Sequence, residues 1–278
     1  DHFSQATLFY NSQSEPEQGH IIRALRFELG KVETPAIRAR MLFLLAQIDK
    51  DLANSVAEGL GLQVPAKLDK PVNMSIPADG DPKKFQPKRA TQSIDVSPAL
   101  RQVENPNFPD KTIKTRKIAV LLADGFEDVD LQEMNKALLT AGATGKTVAP
   151  HLGVVTGANG EQVKVDFSFL TGSSVLFDAV YIPGGNASVE SLIPLTDAVE
   201  FVSEAYKHCK TIAASGAGVG FLAKSLGELF SETNTTGELI SADAGVVTSR
   251  GKVSTNFTTA FVQAVAQHRH WERENSKS

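Results

Sequence analysis

The stretch KIAVLLADG at residues 117–125 decides the fold class of this chain. Its six consecutive apolar residues, 118–123, indicate a strand buried on both faces, which is typical of the centre of a parallel sheet. Asp124 and Gly125 end the strand, and the apolar spacing across 128–141 then predicts an amphipathic helix. A buried strand followed directly by a helix is the repeating unit of an α/β protein.

Strands and helices continue to alternate after this unit. The pattern predicts strands at 146–149, 178–183, 211–214 and 246–248, a hairpin made of 154–156 and 162–165, and helices at 196–208 and 258–271. We therefore expect an α/β sandwich, in which helices cover both faces of a mostly parallel sheet. In such sheets, ligands bind at the carboxyl ends of the strands.

The chain before this domain is first helical and then rich in proline. The spacing predicts a helix over 14–31 and a second from Thr34-Pro35 to about residue 56, with a break near Asp49. Their strongly apolar faces indicate that these helices pack on something larger. Eight of the thirteen prolines fall within 63–112, which predicts extended, irregular chain.

This proline-rich linker is either a disordered tether or a strap that lies on a partner surface. The sequence favours neither, although apolar residues recur along it as a strap would require: Ile76, Phe85, Ile94, Leu100 and Phe108. We accordingly expect three segments, namely a helical segment at 1–62, the linker at 63–114 and the α/β domain at 115–278.

The composition argues against several classes of function and of stabilising site. With 28 basic and 32 acidic residues the net charge is −4, which argues against nucleic acid as a partner. No apolar run approaches the roughly 18 residues of a membrane span, so we expect a soluble chain. A single cysteine, Cys209, excludes an internal disulfide and a cysteine-based zinc cluster. The chain begins DHF without an initiator methionine, so we expect it to be a piece of a longer protein.

Three strand ends converge on the predicted ligand edge: 124–130, 184–186 and 215–218. The first carries four acids that either perform acid–base chemistry, bind a hard cation or cap the following helix, namely Asp124, Glu127, Asp128 and Asp130. In the second, Gly184 and Gly185 offer backbone N–H groups for an oxyanion hole, or simply form a turn. The third, ASGAGVG at 214–220, is the type of strand-to-helix turn that often holds a nucleophile, but it does not match G-x-S-x-G.

Histidine and cysteine do not complete a catalytic set at this edge. His151, His268 and His270 lie away from the three strand ends in sequence, and Cys209 precedes its strand. We expect surface or packing roles for all four.

Two stretches of the chain resemble the haem catalases. DHFSQATLFY at 1–10 resembles the segment that follows the β-barrel domain of these enzymes, and the helices after it resemble their α-helical region. Residues 116–270 resemble the flavodoxin-like domain of large-subunit catalases, which belongs to the PfpI-like, class I glutamine amidotransferase-like superfamily. FEDVDL at 126–131 and FDAVYIPGG at 177–185 carry this second resemblance.

The resemblance implies a catalytically empty site. Active members of the superfamily place cysteine, often followed by histidine, where this chain has Gly216 and Ala217, and Asp130 stands where a supporting glutamate is usual. We therefore expect no catalytic residue and no metal. What remains is a vestigial pocket formed by Glu127, Asp130, Gly184, Gly185, Ser215 and Gly216.

The resemblance also implies that haem chemistry lies elsewhere. In the family, the distal histidine, the asparagine and the haem-ligating tyrosine all precede the segment that begins here. Tyr10, Tyr181 and Tyr206 do not stand in the ligating tyrosine's arginine-containing motif. We expect no haem in this region, and haem in an intact, homotetrameric parent that dismutates hydrogen peroxide. The implied partners are the upstream barrel domain and sister subunits.

Two functions remain as hypotheses. The first is structural and chaperone-like, in which this region stabilises the parent and holds unfolded client proteins. The second is a cryptic hydrolase, glyoxalase-type enzyme or small-molecule binder that uses Glu127, Asp130 and Ser215. The compartment is unknown, but four sequons permit a secreted parent, beginning at Asn73, Asn186, Asn234 and Asn256.

Overall fold

Residues 1–110 and 111–278 form two separate units in the computed structural model. The structure describes residues 2–88, 96–102, 111–230 and 240–275.

The first unit is built from four helices, α1 (Ser4–Ser12), α2 (Glu15–Gly30), α3 (Pro35–Ile48) and α4 (Lys50–Gly59). Ser14 starts α2 by donating from its backbone N–H and its hydroxyl to the Glu17 carboxylate, at 2.9 and 2.8 Å. The predicted break near Asp49 is confirmed, because the extended backbone of Asp49 ends α3 and its carboxylate caps α4 at Leu52 N. Sequence periodicity did not predict α1.

The described part of the proline-rich linker carries two single-turn helices, Pro82–Phe85 and Pro98–Leu100. It also makes hydrogen bonds to the start of the same unit. Ser97 N donates to Ser12 Oγ at 2.8 Å, and Gln102 N donates to Glu17 Oε1 at 2.8 Å. Residues 97–102 therefore lie as a strap against α1 and α2. The proposed anchors Ile94 and Phe108 fall outside the described residues.

The second unit contains a seven-stranded sheet in the order β5-β2-β1-β6-β7-β9-β8. All neighbours in it are parallel except the edge pair of β8 and β9. Its strands are β1 (Lys117–Leu121), β2 (Thr144–Ala149), β5 (Phe167–Ser168), β6 (Ala179–Ile182), β7 (Thr211–Ser215), β8 (Ile240–Asp243) and β9 (Val246–Ser249). The central order, β2-β1-β6-β7-β9, is that of flavodoxin-like sheets. The predicted hairpin forms a separate antiparallel pair of β3 (Gly153–Thr156) and β4 (Gln162–Val165).

Helices cover both faces of this sheet, which confirms the α/β sandwich. They are α5 (Asp128–Thr140), α6 (Asn186–Leu192), α7 (Thr196–Lys207), α8 (Gly218–Leu226), α9 (Thr255–Ala266) and α10 (Glu272–Asn275). One face is packed by α5 and α9, and the other by α6, α7 and α8.

The last predicted helix is present, but its predicted bounds of 258–271 are wrong. The Ser254 side chain caps α9 three residues earlier, by accepting from Phe257 N. The helix then ends at Ala266, and His268 adopts a left-handed backbone with φ of 70° that turns the chain away. Within the described ranges, each helix is too short or too polar to cross a bilayer.

Candidate functional site

The six residues predicted for the pocket lie together at the carboxyl edge of β1, β6 and β7. Ser215 Oγ donates to Asp130 Oδ2 at 2.7 Å, and Gly184 N donates to the same oxygen at 3.3 Å. Glu127 N donates to Gly184 O at 2.8 Å, which joins the β1 loop to the β6 loop. This edge is where the strand order reverses between β1 and β6, as expected for a ligand crevice in an open sheet.

Asp130 is the centre of the site. It is 1 % exposed, and its second oxygen, Oδ1, accepts from Val253 N at 3.0 Å. Three donors from three different chain segments therefore surround one buried carboxylate. Charge-assisted bonds of this kind hold the three segments together and satisfy the acid internally.

Ser215 is fully buried, and its hydroxyl lies 2.9 Å from the hydroxyl of Tyr181. Burial raises the pKa of Tyr181 well above its usual value, and the negative charge of Asp130 raises it further, while the bond to Ser215 opposes both. Tyr181 is therefore a neutral phenol. The resolved partners of Ser215 are a carboxylate and this phenol, so the serine lacks the imidazole base that activates a hydroxyl nucleophile.

Glycines shape the two turns at this edge, including the strand-to-helix turn after β7, here called the elbow. Gly216 has φ of 50° at the turn from β7 to α8, and Gly185 has φ of 114° after β6. A Cβ on Gly185 would collide with Gly125 O, whereas one on Gly216 would lie 3.6 Å from Gly184 Cα. The elbow therefore has room for a side chain at Gly216 although it carries none.

The oxyanion-hole interpretation is wrong for Gly184. Its N–H donates to Asp130 instead of facing open space, and the neighbouring Gly216 N–H donates to Ser249 O at 2.8 Å. An oxyanion hole requires preorganised donors that are directed at the reacting group.

The remaining acids of the first strand end tie the loops together. Asp128 is 3 % exposed and accepts from the N–H groups of Asn159 and Glu161, at 2.8 and 3.0 Å, in the turn between β3 and β4. Burial raises the pKa of Asp128, but these hydrogen bonds outweigh it and the net pKa is below its usual value. Asp128 stands in the first turn of α5, as the capping interpretation expects, and its carboxylate also binds the hairpin turn.

Asp124 behaves similarly, because its Oδ1 accepts from Thr156 N at 2.8 Å. Glu127 remains partly exposed, with Lys252 Nζ 3.9 Å from its Oε1. Across the ranges that the structure describes, no group of three or more His, Cys, Asp or Glu side chains is arranged to hold a metal ion.

Sequence reasoning missed Tyr181, Lys252 and Val253 as members of this site. Tyr181 stands in a predicted buried strand, so its inward position was the available signal. Val253 and Lys252 carry no local signal, because the bond from Val253 N to Asp130 joins residues 123 positions apart.

The histidines and the cysteine lie away from this edge. His270 is buried, and its Nε2 lies 2.9 Å from Thr211 Oγ1 at the opposite end of β7. Cys209, two residues before Thr211, is also buried. The burial of both side chains is consistent with the expected packing roles. His151 and His268 are exposed.

Comparisons with known proteins agree along the whole chain. Residues 114–275 match the family described as the C-terminal domain found in long catalases, and residues 1–60 match the family described as catalase-related immune-responsive. Catalase-2 of Bacillus subtilis is 36% identical over 274 residues, which cover 98% of this chain and 34% of that protein. Catalase HPII of Mycobacterium avium is 38% identical over 279 residues, with 98% and 36% covered.

Catalase-1 of Neurospora crassa is 33% identical over 287 residues, covering 99% of this chain and 36% of that protein. The chain thus spans about a third of the length of the curated relatives it matches. Since the family described as the C-terminal domain found in long catalases matches residues 114–275, which are more than half of the chain, the chain belongs to the long catalases.

Proposed function

We propose that this chain is a non-catalytic C-terminal region of a long catalase, which stabilises the enzyme and can hold unfolded client proteins. The intact parent is then a haem-dependent homotetramer that converts hydrogen peroxide to water and oxygen. The proposed partners of this region are the barrel domain and sister subunits of that parent.

The observation that carries the non-catalytic assignment is the elbow. By the resemblance given above, Gly216 and Ala217 stand where related enzymes have a nucleophile and its neighbour, and neither residue has a functional group that can attack a substrate or move a proton. The buried Asp130 is already bonded to Ser215, Gly184 and Val253. Asp130, the strongest acid–base candidate, therefore already accepts hydrogen bonds that connect three loops.

The tyrosines of this chain do not fit a haem ligand, which requires a stabilised tyrosinate. Burial raises the pKa of Tyr10, and the charges of Asp49 and Asp51 add to this effect. Tyr181 is shifted in the same direction. The Arg273 guanidinium lies over the ring face of Tyr206, 4.4 Å from the ring centroid. We therefore assign the haem to the remainder of the parent.

The holding role rests on the surface of the first unit. Its helices and the proline-rich linker expose large apolar side chains, with Phe27 67% and Met74 64% exposed, and with Phe9, Phe85 and Ile37 exposed as well. Its buried apolar cluster is small, consisting of Tyr10, Leu29, Leu42, Leu45, Leu52, Ala53, Val56 and Ala57. A surface of this kind is suited to cover, or be covered by, another apolar surface.

The test is suppression of aggregation of a heat-denatured enzyme by the full 278-residue chain at near-equimolar ratio. We expect suppression, and we expect the double variant Phe27→Gln/Met74→Gln to lose most of it. The matched control is Leu139→Gln/Leu170→Gln, which removes two exposed apolar side chains from the second unit and should retain suppression. Failure of the unmodified chain, or equal loss in both double variants, would contradict the holding role.

The cofactor assignment has its own measurement. After incubation with haemin and gel filtration, the chain should carry no Soret band and show no peroxide turnover. A retained Soret band with turnover would overturn the assignment of haem to the rest of the parent.

A cryptic enzyme at the carboxyl edge is the second candidate, and the 2.7 Å bond between Ser215 and Asp130 favours it. Under this alternative, the unmodified chain hydrolyses ester or peptide substrates or converts 2-oxoaldehydes, and Ser215→Ala abolishes that turnover. Absence of turnover with all three substrate classes would leave the non-catalytic role.

A secreted parent is compatible with the sequons. Asn186 and Asn256 are exposed in the first turns of α6 and α9, while Asn73 Nδ2 donates to Phe85 O at 2.9 Å. Asn234 lies outside the described residues. Expression through a eukaryotic secretory pathway should give a mass that falls on treatment with an N-glycosidase, and an unchanged mass would remove this support for secretion.

A further inference from the structure

The amino edge of the sheet, opposite the candidate site, carries a group of charged side chains that no role proposed above uses. They precede β1, β6 and β7 or follow α9, and consist of Arg116, Asp178, Lys210, His268 and Arg269, here called the basic cluster. Two guanidinium groups and one ammonium group share a single carboxylate. With His268 neutral, the cluster therefore has an excess of two positive charges.

The one carboxylate is already engaged. Arg116 Nη1 donates to Asp178 Oδ1 at 3.0 Å, and Lys117 N donates to Asp178 Oδ2 at 2.8 Å. Asp178 thus pairs with Arg116 and with the backbone at the start of β1. Its charge neutralises one cation of the three.

His268 does not supply the missing negative charge. Its Nδ1 lies 2.6 Å from Arg116 Nη1, and because a guanidinium can only donate, Nδ1 is the acceptor of a neutral imidazole. The residue is exposed as a whole, but partial desolvation of its ring, together with the nearby charges of Arg269 and Arg116, lowers the pKa of His268 to about 4. The imidazole therefore stays neutral and extends the polar lining of the cluster.

Lys210 and Arg269 are the two cations left over. Lys210 is 3 % exposed, and its Nζ donates to the carbonyls of Ser174 and Phe177 at 2.6 and 2.8 Å. Burial and the charge of Arg269 lower the pKa of Lys210 to about 8, so the ammonium form still predominates at neutral pH. Arg269 is half-buried and donates from Nη1 to His268 O at 2.8 Å. These bonds satisfy donors but do not neutralise charge.

Excess charge in a partly buried position is unfavourable unless an opposite charge joins it. The cluster is open to such a partner, because the side chains of Arg116 and Asp178 are 23% and 30% exposed and His268 is exposed. Guanidinium groups present planar, paired N–H donors that match the oxygens of a phosphate group.

We propose that the basic cluster binds a phosphate dianion, free or as a monoester, between the guanidinium groups of Arg116 and Arg269. Two negative charges balance the excess of two positive charges, and the buried ammonium of Lys210 adds long-range attraction. The site takes this ligand class independently of the role proposed for the chain as a whole.

The test is a titration of the full chain with inorganic phosphate by calorimetry, against sodium chloride at matched ionic strength. We expect saturable binding with a Kd of about 1 mM or tighter. By NMR, phosphate should raise the pKa of His268 by about one unit or more, since an opposite charge within a few ångströms favours the protonated form.

Arg269→Gln should weaken phosphate binding about tenfold or more, because it removes one charge-assisted donor pair. Arg269→Lys, which keeps the positive charge but removes the planar, paired N–H donors, should weaken phosphate binding less. The control is Arg250→Gln, which removes an exposed arginine at the other edge of the sheet and should leave the Kd unchanged.

Glycerol 3-phosphate in a parallel titration identifies the source of the ligand. Binding of both compounds means that the site accepts phosphate groups on larger molecules, and binding of inorganic phosphate alone means that it takes the free ion. Absence of saturable binding by either, or equal weakening by Arg269→Gln and Arg250→Gln, would overturn the proposal.

Discussion

The two units of the chain bury their apolar residues very differently. In the second unit, helices cover both faces of the sheet, and two large buried clusters include the fully buried Phe221, Phe257 and Phe261. The first unit has one small cluster between its helices and exposes Phe27 and Met74. Exposed apolar side chains occur in both units, as Leu139 and Leu170 show, so the difference lies in the size of the buried core, which is much larger in the second unit.

The largest expected effect comes from breaking the core of the second unit. Phe261→Ala should lower the free energy of unfolding of this unit by about 3–5 kcal/mol, because it leaves a cavity between α9 and the sheet. Urea unfolding followed by the fluorescence of Trp271, the single tryptophan, reports on this unit. The far-ultraviolet circular dichroism signal contains helices of both units, so only the part that comes from the second unit should shift with the fluorescence. A shift of the whole signal together with the fluorescence would contradict the distinction between the units.

The control for that experiment is Leu139→Ala. Leu139 is 75% exposed on α5, so its truncation should change the unfolding free energy by no more than about 0.5 kcal/mol.

The next effect tests whether Asp130 stabilises the loops at the carboxyl edge of the sheet. Asp130→Ala removes the acceptor of Ser215, Gly184 and Val253, and it should cost about 2–4 kcal/mol because buried donors lose their partner. Asp130→Asn keeps one acceptor oxygen and should cost less in the same urea experiment. Equal stability of Asp130→Ala and the unmodified chain would show that the site does not hold the loops.

A smaller effect depends on pH. Since the pKa of Asp128 is lower in the folded state, its contribution is present above the ordinary carboxyl pKa and is lost as pH falls through the lowered value. Asp128→Asn should therefore destabilise the second unit by about 1–2 kcal/mol at neutral pH and by progressively less in acid. Thermal melts at pH 7 and pH 3 measure this; a difference that stays constant with pH would contradict the assignment.

The smallest expected effect concerns the exposed side chain of Phe27 in the first unit. Phe27→Gln should change its stability by no more than about 0.5 kcal/mol, because the ring is 67% exposed and its resolved contact is the Lys31 ammonium at 3.8 Å. Far-ultraviolet circular dichroism during urea unfolding checks this. A loss above about 2 kcal/mol would mean that Phe27 belongs to the core and is not a contact surface.

The fold was predictable where local sequence and burial agree. The apolar run of β1 identified the central strand, and the Thr34-Pro35 start and the Asp49 break identified α3 and α4. The end of α9 was not predictable, because the left-handed backbone of His268 lies beside a contact with Arg116, 152 positions away. Short helices such as α1 and α6 carry too few residues for a clear period.

For the candidate site, the sequence predicted which residues meet but not what they do. Parallel strands bring their carboxyl ends to one edge, so the meeting of Asp130, Gly184 and Ser215 followed from strand order alone. What those residues do there required the structure. The donor from Val253 and the phenol of Tyr181 convert an apparent acid–base pair into an internal bond network.

The position of β1 also bears on the order in which the chain folds during synthesis. β1 lies in the middle of the sheet, and its neighbour β6 pairs Ala179 with Ile118 only after the hairpin and β5 have been made. The sheet therefore closes late, since pairings between distant residues form slowly. The helices of the first unit contact helices that are near them in sequence, and they leave the ribosome earlier. We therefore expect them to be folded before β6 has been made and can pair with β1.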